Sequence, residues 1–159
     1  MTTLEMKKFG DFNKDDVFRI SIVTDDLEIL TNEDLRSYKN LTSIVLENNQ
    51  NLKKIDLRGN ESIKYLCLGT CDNLTEINID QTNINNIDLY DLVSLQSIEM
   101  GNTQLLNLKN LISENITKQF LYIEDAILES FDRRIKATDE GDEKNSLIKA
   151  YEEYLESSD

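Results

Sequence analysis

From Leu41 onward an apolar residue opens a six-residue pattern, LxxLxL, that returns every ten or eleven residues. The openings are Leu41, Leu52, Ile63, Leu74, Ile84, Leu95 and Leu105, at steps of 11, 11, 11, 10, 11 and 10. The complete units are Leu41-Ile44-Leu46, Leu52-Ile55-Leu57, Ile63-Leu66-Leu68, Leu74-Ile77-Ile79, Ile84-Ile87-Leu89 and Leu95-Ile98-Met100. All 18 of these template positions are apolar in a chain that is 39% apolar overall. Independent placement would produce that roughly once in 10⁷ to 10⁸ trials. Among the intervening positions two, three and five, only Val45, Tyr65 and Cys67 belong to the apolar class.

Positions four and six lie two residues apart, so in an extended strand they share one face, while position five points to the other. One face is therefore core and the other solvent. After each strand, position nine is Asn49 or Asn60, whose amide can bond the free backbone groups of a turn; Cys71, Thr82 and Thr103 fill the slot later, and Leu92 interrupts the series. A six-residue strand with a tight turn cannot bury its apolar face alone. Successive units must stack into a continuous core.

The segments NLKKIDLRGNESIKYLCLGTCD and NLTEINIDQTNINNIDLYDLV each contain LxxLxL twice, in 22 and 21 residues. They resemble the leucine-rich-repeat family, in a bacterial subtype with extended chain on both sides of the coil. Val17, Ile20 and Ile22 give an earlier strand, Asp25 takes the turn position, and NEDLRSYKN is expected to return as a short helix to Leu41. The resemblance covers about residues 15 to 111. It implies an α/β repeat fold: a short solenoid of about four to five coils, largely β on both sides. About function it is nearly silent, because such repeats serve adhesion, inhibition, sensing and scaffolding alike.

Beyond Leu108 the template fails at Asn110 and the period changes. Ile116, Phe120, Ile123, Ile127, Phe131 and Ile135, at spacings of 4, 3, 4, 4 and 4, form the stripe of an amphipathic helix from about Glu114 to Ala137. The TDEGDEKN segment reads as a connector. Leu147, Ile148, Tyr151, Tyr154 and Leu155 then mark a second helix over about 142–156, with Asp142 and Glu143 suited to its N-terminal dipole. Such a helical hairpin would cover the last open coil; the other reading is a dedicated partner-binding hairpin. The organisation expected is an N-terminal cap with a first strand-helix repeat (1–40), repeat coils (41–111) and an acidic helical C-terminal cap (112–159).

Composition narrows the function. The 159 residues carry 17 Lys plus Arg against 31 Asp plus Glu, a formal charge of −14. That disfavours unaided binding to nucleic-acid phosphates or anionic lipid and points to a basic partner. The balance is −3 over residues 1–40, −4 over 41–110 and −7 over 111–159. Acidic helices of this kind ordinarily serve solubility. There is no His, which removes the usual catalytic base and His-based metal sites. Motifs for nucleotide loops, zinc proteases, paired CxxC sites and calcium loops are missing, so neither a cofactor nor a metal is expected and the chain reads as non-enzymatic. Two cysteines make no disulfide framework, and no apolar run suits a signal peptide or a membrane span. The expectation is a cytoplasmic protein, and its Asn, Ile and Lys usage leans toward a bacterial or viral source.

Alternate units should face opposite sides of the coil. On one side Lys54 lies beside Glu76, and Arg58 beside Asp80, the cross-strand pairs of a solvated face. On the other, the outward rows read Arg19, Ser43, Tyr65, Asn86 and Ser21, Val45, Cys67, Asp88, with Tyr90 lower down. This second surface is less charged and contains Tyr, which concentrates at protein interfaces. Its residues Arg19, Ser43, Val45, Tyr65, Cys67, Asn86, Asp88 and Tyr90 are the candidate protein-binding face; the bland alternative is that the tyrosines merely pack over neighbouring strands. Cys67 is expected to be an exposed, oxidisable thiol, and Cys71 a buried structural one. The function expected is an acidic inhibitor or immunity or anti-defence protein bound to a basic protein; the alternative is an adaptor or sensor using the helical tail as a second contact.

Overall fold

In the computed structural model, which describes residues 14–108 and 120–157, all 18 template positions are buried, none more than 7% exposed. Each pair of units makes one coil with a strand on either side. The first sheet contains β1 (Arg19–Ile22), β3 (Ser43–Glu47), β5 (Tyr65–Gly69) and β7 (Asn86–Tyr90) in that order; the second contains β2 (Ile29–Thr31), β4 (Lys54–Asp56), β6 (Glu76–Asn78) and β8 (Ser97–Glu99). All pairings are parallel. Paired residues are 24, 22 and 21 positions apart on the first sheet and 25, 22 and 21 on the second, so template positions stack on their counterparts coil after coil. The result is a parallel β-solenoid of four turns, with Ile44, Leu66 and Ile87 from one sheet and Ile55, Ile77 and Ile98 from the other in a shared core.

Strands this short require sharp corners, and position eight supplies them. Asn48, Gly59, Thr70, Gln81 and Asp91 all have positive φ, from 48° to 75°. For the residues other than glycine, that left-handed conformation costs on the order of 1 kcal/mol. Position nine answers as expected. The buried Asn49 amide donates to the Ile22 carbonyl at 2.7 Å and to the Glu47 carbonyl at 3.3 Å, and its oxygen accepts the Thr24 N–H at 2.8 Å. Asn60 accepts from the N–H groups of Ser62 and Ile63, Thr82 donates to the Ile79 carbonyl, and the Cys71 thiol, fully buried, takes the same slot with the carbonyls of Leu46 and Gly69.

A second ladder stands at the residue just before each opening. Asn40, Asn51, Asn73 and Asn83 donate their amides to the carbonyls of Asp15, Asp25, Gln50 and Glu61, 22 to 26 residues earlier, at 2.6–2.8 Å. These bonds tie each coil to the one before it. The sequence carries the signal as Asn or Ser at every such position, Asn40 through Ser94.

The first coil differs from the expected strand and helix. Leu27, Leu30 and Asn32 occupy template positions one, four and six, so β2 forms there and founds the second sheet; only one helical turn, α1 (Asn32–Leu35), follows. Thr31 starts that turn with its backbone N–H on the Asp34 carboxylate at 2.8 Å.

At the other end α2 (Asn102–Leu106) replaces a further strand, its Gln104 side chain accepting the Gly101 N–H at 2.9 Å and donating to Thr82 and the Ile84 carbonyl. Helices α3 (Phe120–Ala137) and α4 (Asp142–Ser157) then pack as a pair, α3 over β8 and α4 over α2, covering the last coil. Both match the expected helices where described; positions 114–119 of the expected first helix, including Ile116, lie outside the described residues. Phe131, fully buried, sits 5.5 Å from the Tyr151 ring and 6.0 Å from that of Tyr154. Arg133 and Arg134 bolt the cap to the coils, through Glu99 at 2.7 Å and Asp80 at 3.6 Å. Among the described residues, no helix is long and apolar enough to cross a membrane.

Candidate functional site

The outer face of the first sheet is built by strand alternation alone. Template position four turns inward, so positions three and five turn outward, and register aligns Arg19 with Ser43, Tyr65 and Asn86, and Ser21 with Val45, Cys67 and Asp88. Seven of the eight candidate residues thus lie on two adjoining rows, as expected. Tyr90 extends β7 into a third row, in register with Gly69; its side chain lies outside the described residues. That third row also brings in Glu47, a residue the sequence reading passed over although the same alternation, carried two places further, reaches it.

Two expectations about this face are corrected. Val45 and Cys67 point outward but are only 6% exposed. They occupy the two central strands, flanked by other strands on both sides, and the side chains around them close over them. The Cys67 thiol donates to Glu47 Oε1 at 3.3 Å, and the neighbouring Tyr65 hydroxyl donates to Asp88 Oδ2 at 2.5 Å. Cys67 is therefore no exposed, oxidisable thiol. Burial, reinforced by the Glu47 carboxylate, pushes it up to about 11, so little reactive thiolate exists at neutral pH. The Tyr65 hydroxyl is likewise raised well above its ordinary range, chiefly because ionisation would cost its hydrogen bond to the Asp88 carboxylate.

What remains is a floor of small residues, Val45, Cys67 and Gly69, rimmed by the half-buried Ser43, Tyr65, Glu47 and Asp88 and the exposed Arg19, Ser21 and Asn86. Tyr65 is held by one short, charge-assisted hydrogen bond, which removes ring freedom before any partner arrives.

The second sheet carries a different surface. Lys54 and Glu76 pair across β4 and β6 at 3.1 Å as expected, but Arg58 does not pair with Asp80. Asp80 instead meets Arg134 of α3, and Glu99 meets Arg133, because the cap reaches over that edge of the sheet. The carboxylates Glu76, Glu99 and Asp80 on this side are thus answered by internal cations.

Comparison with known families, curated proteins and solved structures gives no match.

Two shallow cavities lie elsewhere. A crevice of about 470 Å³ runs between Asn102 and the α3–α4 connection, from Arg134 to Glu143. Several of its polar groups are engaged in structure: Arg134 Nε donates to Asn102 Oδ1 at 2.9 Å, and Asn102 donates to Thr138 and Glu143. The second, about 400 Å³, is lined by uncharged amides and hydroxyls of Thr82, Asn83, Asn85 and Gln104 among others. Among the described residues, no group of three or more Cys, Asp or Glu side chains is placed to hold a metal ion.

Proposed function

We propose that this chain is a non-enzymatic protein-binding module of the leucine-rich-repeat type, an acidic inhibitor or immunity or anti-defence protein that docks a basic partner protein through the outer face of its first sheet. The observation that carries this reading is the asymmetry between the two sheets. One face is closed by ion pairs and by the arginines of the cap; the other offers a rigid tyrosine above a floor of small side chains. Rigid aromatic groups beside adaptable Ser and Asn are the composition of a docking surface, and a charge of −14 would accelerate encounter with a basic protein.

Capture from lysate of the native host, run in parallel with three forms of the protein, tests this. A protein retained by the wild type, lost by Tyr65→Ala/Asn86→Ala and retained by Lys54→Ala/Glu76→Ala supports the first sheet as the docking face. Loss through the second pair instead would reject it. For the captured partner, association should slow at least about tenfold between low and physiological salt if steering operates, whereas an adaptor held by apolar contacts would hardly respond.

A further inference from the structure

No further inference is drawn: the strongest candidate, the exposed apolar rim of the first coil formed by Phe18, Val23 and Ile29 beside the edge strands β1 and β2, carries nothing because nothing in the structure shows what covers it.

Discussion

Asn49, on the corner after β3, donates its side-chain amide to the carbonyl of Ile22, one coil earlier, at 2.7 Å. The same amide oxygen receives the N–H of Thr24, so one side chain satisfies both a donor and an acceptor of the neighbouring turn in a wholly buried place. Asn49→Ala would leave both groups without a partner. It should destabilise the protein by about 2–4 kcal/mol in urea unfolding, because each stranded buried group costs about 1–3 kcal/mol. Asn51→Ala, which removes a single bond at the exposed surface, should cost less than about 1 kcal/mol. Equal effects would mean that the two ladders are energetically alike.

The corners carry strain that glycine relieves. Gln81 and Asp91 hold φ of 56° and 53°, and replacing either with Gly should raise stability by up to about 1 kcal/mol. Thr70, at 48°, is the most awkward of the set as a β-branched residue, but its hydroxyl accepts the Asn48 N–H and donates to the Asn48 side chain, so Thr70→Gly should gain less. Conversely Gly59→Ala should lose about 1 kcal/mol although the added methyl would meet nothing within 4 Å. Shifts of the thermal midpoint in these directions are the check.

Alkaline pH should unfold the protein early. Cys67 is raised from its ordinary 9.0 to about 11, and burial lifts Tyr154 to about 12. Both groups stay protonated in the fold where the unfolded chain would release protons, so their stabilising contribution is intact below the unfolded value and drains away as pH climbs through the folded one. For Cys67 that window runs from about pH 9 to 11 and is worth on the order of 2–3 kcal/mol. Urea midpoints should fall steeply over that interval, and Cys67→Ala should flatten the fall. A midpoint indifferent to pH between about 8.5 and 10.5 would refute the assignment.

Apolar packing, more than charge, should hold the cap on the coils. Phe131 is fully buried against Tyr151 and Tyr154, and Phe131→Ala should cost about 3–5 kcal/mol. The Arg133–Glu99 pair has side chains 38% and 32% exposed, so Arg133→Gln should cost no more than about 1 kcal/mol. Hydrogen exchange in Arg133→Gln should leave β8 protected. Fast exchange there would show that the ion pair, rather than the aromatic seat, keeps the cap closed.

Local pattern alone determined the solenoid, its two faces and the capping helices, because the pleat and the helical turn are repeated within each unit and every coil must bury the same positions against the next. Leu27 and Leu30 carried the template for β2 as well, but the 14-residue step to Leu41 masked it against units spaced by ten or eleven. Tertiary structure decided everything that depends on neighbours twenty or more residues away. It buried Val45 and Cys67 on a face where alternation pointed them outward, set the Tyr65 hydroxyl on Asp88, and turned Asp80 from Arg58 to Arg134. Which side a residue faces is a property of its own strand; how deeply it lies and which charge answers it are set by what the adjoining coils and the cap bring alongside.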